Sequence, residues 1–302
     1  MNYKPVLLNN EFLVEKLYTI HYFEYMNDFS FQGESHNFWE FLYVDKGAVE
    51  ITAGSFSHRL EKGEIVFHQP NEFHKVTADG KIAPNLIVVS FECKSPHMDF
   101  FKHKILRLDE TERSILGIII SEARETFDGR LDDPYQEEMC LKSSTPFGSL
   151  QMIRIALERF LVHIIRRYHA PYTAIRSNST KFLKTTKQKG DQGIFSRVTD
   201  YLSTHLDEKL TIEKICKDNL IGRSQLQKIF QEQSGLGIIE YFSHMKIEAA
   251  KQMMRTDHLN FTQISEKLGY SSIHYFSRQF KKITGMTPSE YISSIKALSD
   301  KE

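Results

Sequence analysis

From Leu17 to about Glu92 the chain alternates short apolar runs with turns, the period-two pattern of strands buried against a sheet. The predicted strands are YTIHYFEY (18–25), FWEFLYV (38–44), AVEIT (48–52), FSHRL (56–60), EIVFH (64–68) and NLIVVSFE (85–92). Aromatic and β-branched residues dominate them, and Gly33, Gly47, Gly54, Gly63 and Gly80 punctuate. Several strands at this spacing predict a closed or double-sheet all-β unit. Alternation sends His36, Phe38, Glu40, Leu42 and Val44 to one face and Trp39, Phe41 and Tyr43 to the other. Both faces are largely apolar, so His36 and Glu40 are predicted to look into an enclosed space.

After residue 100 the period lengthens. Segments 108–127 and 149–169 read as amphipathic helices, joined by a polar, turn-rich loop. In the second, Leu150, Ile153, Leu157, Leu161, Ile164 and Tyr168 recur at intervals of three and four, and Phe160 and Ile165 widen the stripe. That stripe suits packing on the chain's own β unit and equally a two-helix dimer seam.

The C-terminal hundred residues contain a duplication. SQLQKIFQEQSGLGIIEYFS (224–243) aligns with HYFSRQFKKITGMTPSEYIS (274–293), matching Phe230 with Phe280, Gly235 with Gly285 and Glu240-Tyr241 with Glu290-Tyr291. Two copies of one supersecondary unit are implied. Each reads helix–turn–helix, at about 211–233 and 260–283. Thr211 is the predicted N-cap of the first copy, and Asn260-x-x-Gln263 and Thr287-Pro288-Ser289-Glu290 read as capping boxes. Gly235 and Gly285 close the second helix of each copy.

Charge sharpens this division. The 302 residues carry 39 basic and 39 acidic side chains, a formal net of zero. Residues 1–165 hold a net of −8, residues 166–189 a net of +7 with no acid, and residues 190–302 a net of +1. The basic segment is rich in Ser, Thr and Lys and predicts a solvated tether. Three cysteines at wide spacing form neither a disulfide framework nor a zinc cluster. No apolar run approaches a membrane span and the N-terminus lacks a signal-peptide core, so a cytoplasmic protein without membrane contact is expected. There is no nucleophile elbow, phosphate-binding glycine loop or HExxH helix, and the chain is not expected to be an enzyme.

The segment LGYSSIHYFSRQFKKITGMTPSEY (268–291), with the tandem units of 193–293, resembles the DNA-binding domain of AraC/XylS transcription regulators. His36-Asn-Phe-Trp-Glu40, six residues and Gly47, then Gly63 and His74 eleven residues on, resemble the two halves of a cupin motif. The resemblance implies a multidomain α+β protein. It has a cupin-like ligand-sensing β-barrel (1–100), a helical connector for dimerisation (101–170), a basic linker (171–192) and an all-α DNA-binding domain (193–302).

By position, the family's base-edge readers correspond to Ser224, Gln227, Lys228, His274, Ser277 and Arg278, and its phosphate contacts to Arg223, Ser272, Lys281 and Lys282. The first copy departs from the pattern, with Leu220 in place of glycine and Gly222 in place of a capping serine. The second copy is therefore expected to dominate DNA binding.

In metal-holding cupins the motif supplies three His and one Glu, which fall here on Glu34, His36, Glu40 and His74. Glutamate at the first of these, and Glu72 in place of a glycine, depart from that set. The expectation is no metal and no cofactor, with His36, Glu40 and His74 binding a small polar effector such as a sugar. Expected partners are double-stranded DNA, the effector, a second copy in a homodimer, and RNA polymerase if the protein is an activator. A metal-dependent cupin enzyme fused to a DNA-binding module and a ligand-independent dimeric regulator remain alternatives.

Overall fold

The computed structural model describes residues 3–54, 56–133, 136, 138–169, 186–256 and 259–299. The chain divides into two compact units that part near residues 176 and 177.

In the first unit the strands form two antiparallel sheets. One holds β1 (Val14–Glu24), β8 (Asn85–Cys93), β3 (Trp39–Lys46), β6 (Glu64–His68) and β9 (Ile105–Arg107), in that order. The other holds β2 (Ser30–Glu34), β7 (His74–Ala78), β4 (Ala48–Ala53) and β5 (Phe56–Glu61). Of the closed and double-sheet forms expected for this cupin-like unit, the chain adopts the double-sheet one: β1 and β9, and β2 and β5, remain sheet edges. Two apolar layers result. Leu42, Val44, Val66 and Val88 of the first sheet meet Val49, Ile51, Leu60 and Val76 of the second. On the opposite side of the first sheet, Trp39, Phe41, Phe67 and Phe91 pack under helices α1 (Glu110–Thr126) and α2 (Ser149–His169). Alternation along β3 places consecutive residues in different cores, as the period-two pattern predicts.

An Asp109–Glu112 capping box starts α1. Ile153, Leu157, Phe160, Leu161 and Ile164 of α2 are buried against α1 and the sheet, so the helix packs on its own β unit. Leu150 and Tyr168 lie outside that face and are exposed. The Tyr168 hydroxyl instead accepts a 2.8 Å bond from the Arg107 amide. Buried Glu112 takes bonds from Arg167 Nε and Nη2, each at 2.8 Å.

The second unit is helical: α3 (Thr186–Thr204), α4 (Ile212–Asp218), α5 (Arg223–Ser234), α6 (Ile238–Thr256), α7 (Phe261–Lys267), α8 (Ile273–Thr284) and α9 (Pro288–Ser299). Of the expected linker 171–192, residues 171–185 lie outside the described residues, and helix α3 occupies 186–192. The linker reading is corrected there. Ile194, Phe195, Val198, Tyr201 and Leu202 pack α3 into the first helix–turn–helix core, and the Lys- and Gln-containing turn before them can propagate that helix. All three predicted cap pairs form, at Thr211, Asn260–Gln263 and Thr287–Glu290. Gly235 and Gly285 end α5 and α8 at φ 72 and 83, in the left-handed conformation.

The two copies are tied together through α6, which touches α5 on one side and α7 and α8 on the other. Lys246 of α6 is buried, and its ammonium donates to Glu208 O at 2.8 Å and Leu268 O at 2.7 Å. At Gly269, beside that contact, a Cβ would collide with the backbone of Asp207.

Candidate ligand cavity and nucleic-acid interface

The pairing register explains how the first unit builds a polar site in an apolar sandwich. Thr19 stands opposite Ser90, Ser90 opposite Glu40, and Glu40 opposite His68. These four residues form one rung across β1, β8, β3 and β6, all on the face toward the second sheet. Ser90 donates to Glu40 Oε2 at 2.7 Å. Its proton being used there, Ser90 accepts from the Thr19 hydroxyl, at 2.8 Å.

Above this rung lies a cavity of about 290 Å³. One end is polar, with His21, Glu34, His36, Glu40, His68, His74 and Ser90; the other is apolar, with Phe23, Phe31, Leu42, Val76, Leu86 and Val88. The sequence-predicted trio is brought together. His36 Nε2 lies 3.5 Å from Glu40 Oε2, and His74 Nε2 lies 3.3 Å from Glu40 Oε1 and 3.7 Å from Glu34 Oε1. Each histidine turns its other nitrogen to the main chain: His36 Nδ1 is 3.1 Å from Phe38 O, and His74 Nδ1 is 3.0 Å from Glu72 O. The Nε2 atoms approach the carboxylates without hydrogen-bond alignment, so both are buried and unsatisfied.

Electrostatics follow from this crowding. Burial pushes the Glu40 carboxyl up, but His36, the His74 charge and the Ser90 hydroxyl outweigh it and hold the acid far below its ordinary range. Burial would lower the His74 imidazole; the carboxylates of Glu34 and Glu40 reverse this and raise it to about 10. Burial pushes His68 and His21 down. The arrangement offers imidazole, carboxylate and hydroxyl groups to a small polar molecule, and a wall of aliphatic and aromatic carbon to the rest of it. The same donors fit a metal ion: one ligand atom each from Glu34, His36, Glu40 and His74 lies within 4.8 Å of every other. Sequence reasoning missed Thr19, His21, His68 and Ser90. Only the strand register could have found them, because each is an ordinary polar residue within an apolar strand.

The second unit carries the predicted nucleic-acid face on α5 and α8. Arg223, Ser224, Gln227 and Lys228 are exposed on α5, and His274, Arg278, Lys281 and Lys282 on α8; Ser277 is half-buried. Three have intramolecular partners. Arg223 Nη1 donates to Glu213 at 3.1 Å, Lys228 approaches Glu232 at 3.6 Å, and Ser272 caps α8 by accepting from Tyr275 N. Gly222 leaves α5 without a side-chain cap. Arg278 makes no ion pair or hydrogen bond among the described residues. Phe276 and Phe280 on the opposite side of α8 are fully buried, which fixes the direction in which Arg278 points.

Comparison with known proteins agrees with both halves. Residues 17–93 match the AraC-like ligand binding domain, and residues 215–294 match a helix-turn-helix domain. An uncharacterized HTH-type transcriptional regulator of Escherichia coli, YijO, is 30% identical over 100 residues, 33% of this chain and 35% of that protein. The arabinose operon regulatory protein of Salmonella typhimurium is 32% identical over 100 residues, 32% of this chain and 36% of that protein. The chain therefore spans about a third of the length of these two relatives. The HTH-type transcriptional activator RhaR of Salmonella dublin is 21% identical over 296 residues, 95% of each chain. Among the described residues no helix is long and apolar enough to cross a membrane.

Proposed function

The chain belongs to the AraC family of DNA-binding transcription regulators that carry a ligand-binding domain, and from that premise we propose that it senses a small polar metabolite in the His36–Glu40–His74 cavity and reads DNA with α5 and α8. By kinship with the arabinose operon regulatory protein, a sugar is the first metabolite class to test. The polar rung and its unsatisfied imidazoles support this, since buried polar groups facing an apolar cavity are costly until a partner arrives. Ligand binding acts through different affinity for two states of the protein. Homodimerisation and contact with RNA polymerase complete the proposal. The exposed Met152 and Ile155 of α2 are available for the first.

One observation carries the DNA-reading part: Arg278 stands exposed and unengaged on a helix whose other side is anchored by Phe276 and Phe280. A guanidinium held this way can reach guanine O6 and N7 in the major groove. Genome-wide mapping of bound DNA supplies the operator, and anisotropy titrations with single-base variants then test the assignment. Arg278→Ala is expected to weaken binding about 5- to 150-fold, corresponding to about 1–3 kcal/mol, and to relax preference at one base position. Lys282→Ala is expected to weaken all sequences alike and flatten the salt dependence. Uniform loss on every sequence for Arg278→Ala would make it a phosphate contact.

A further inference from the structure

We infer that Lys246 is the positioning residue that fixes α5 and α8 relative to each other, and thereby sets the separation of the two DNA segments that these helices read. The inference deepens the DNA-reading proposal and rests on it.

The duplication places two lysines at one equivalent position. The 50-residue offset that pairs Glu240-Tyr241 with Glu290-Tyr291 also pairs Lys246 with Lys296. Each lies on the helix that follows a helix–turn–helix copy. Lys296 of α9 is exposed, as lysines ordinarily are. Lys246 of α6 is only 6% exposed. The difference is that α6 runs between the copies, touching α5 on one side and α7 and α8 on the other. Burying an ammonium is costly unless its donors are used, so the seam must supply acceptors.

Those acceptors come from both copies. Nζ donates to Glu208 O at 2.8 Å and to Leu268 O at 2.7 Å. Glu208 lies in the loop leading into α4, the opening helix of the first copy; Leu268 ends α7, at the turn before α8 in the second. The ammonium therefore sets the distance between two stretches of main chain, one from each copy. The same two stretches meet again where Gly269 leaves no room for a Cβ beside the Asp207 carbonyl.

From Lys246 the packing continues to both reading helices. Nζ lies 4.9 Å from the ring centre of Phe242 and 5.2 Å from that of Tyr270, within reach of cation–π attraction. Phe242 belongs to the core that holds Leu226, Ile229 and Phe230 of α5. Tyr270 packs against Phe276 of α8, with ring centres 5.3 Å apart. Burial draws the ammonium down to about 8 against the opposing charge of Asp207, so it is mainly protonated at neutral pH. Methionine has a similar length and apolar bulk but holds neither carbonyl.

Spacing matters because of the geometry of the duplex. Its grooves repeat every helical turn of about 34–36 Å, so one added base pair moves a segment by about 3.4 Å and turns it by roughly 35°. A rigidly spaced pair of helices cannot follow both segments through that change.

The test uses the full chain and its mapped operator in anisotropy titrations. The DNAs carry the native spacing, one base pair added or removed between the two segments, or only the segment that α8 reads. Wild type is expected to lose about tenfold or more in affinity on either change of spacing, and Lys246→Met less than about threefold. Affinity of Lys246→Met for the α8 segment alone should stay within about twofold of wild type, which a general loss of fold would not allow. Lys296→Met, at the exposed counterpart, should behave as wild type. If circular dichroism shows Lys246→Met to be unfolded, Lys246→Gln, which keeps an amide donor, takes its place. A spacing penalty as large as that of wild type in the variant overturns the proposal, as does an equal loss of penalty in Lys296→Met. Loss of binding to the α8 segment by both position-246 variants also overturns it, since Lys246 is then required for folding and not for spacing. The two readings fail separately. A wild-type chain without sequence preference refutes DNA reading; one that binds its operator but is indifferent to spacing refutes the positioning role alone.

Discussion

Gly269 is the position where a single methyl group is expected to do most damage. Its φ is +63, and a Cβ built there would lie 2.0 Å from the Asp207 carbonyl oxygen and 2.6 Å from its carbon. Even the tightest real Cβ contacts are near 3.0 Å, so Gly269→Ala forces the backbone at Asp207 and Glu208 back by about 1 Å. That retreat strains the 2.8 Å bond from Lys246 to Glu208 O. Left-handed backbone costs a non-glycine residue about 1–2 kcal/mol. Losing a hydrogen bond to a charged donor adds about 1.5–3 kcal/mol. The sum, about 2.5–5 kcal/mol, is a large share of the 5–15 kcal/mol typical of a whole domain.

The assay exploits a composition detail: the chain has one tryptophan, Trp39, and it lies in the β unit. Urea unfolding followed by far-ultraviolet circular dichroism reports the helical unit, and Trp39 fluorescence reports the sandwich. Gly269→Ala should lower the dichroism midpoint by more than about 1 M, given slopes of roughly 1–3 kcal/mol/M. The fluorescence midpoint should stay in place. An unchanged dichroism midpoint would refute the close packing of this turn against Asp207.

The equivalent turn of the first copy provides the converse test. Leu220 sits at φ 51 with its side chain 93% exposed, so it carries the same backbone strain without any collision. Leu220→Gly should stabilise the helical unit by about 0.5 kcal/mol, once glycine's greater chain entropy offsets part of the relief, read as a higher dichroism midpoint. Lys246→Met strands the Glu208 and Leu268 carbonyls and should cost about 3 kcal/mol in the same measurement. Arg167→Ala leaves buried Glu112 with the Asp109 amide and His163 but no guanidinium, and should destabilise the sandwich by about 2–4 kcal/mol on the Trp39 signal.

Much of the fold was legible because most elements present a long apolar period. Helix 149–169 lies within the bounds read from its stripe, and β6 matches EIVFH residue for residue. Strands β2, β7 and β9 escaped for identifiable reasons. SFQGE offers a single large apolar residue, ILR is three residues long, and HKVTA follows a turn whose polar residues mask its alternation. The cavity was half legible. His36, Glu40 and His74 stand out as polar groups in an apolar setting, whereas Ser90 and His68 join them only through cross-strand register. That register depends on bulges and turns, such as the irregularity between Leu17 and Thr19 that brings Thr19 opposite Ser90. On the helical side the capping patterns were read correctly because caps are local chemistry. Arg223's attachment to Glu213 was not, since it joins residues of different helices.

Strand β3 has a mechanical consequence beyond its place in the sheet. Glu40 forms the floor of the cavity, and Phe41, its neighbour, presses against Phe160 of α2 with ring centroids 5.5 Å apart. The strand is a stiff partition between a cavity lined at one end by polar groups and an apolar core. Because close-packed interiors transmit displacement rather than absorb it, a pull on Glu40 is delivered one peptide bond away as a push on the helix pair. Strand β3 is thereby the lever through which the contents of the cavity can be felt outside it.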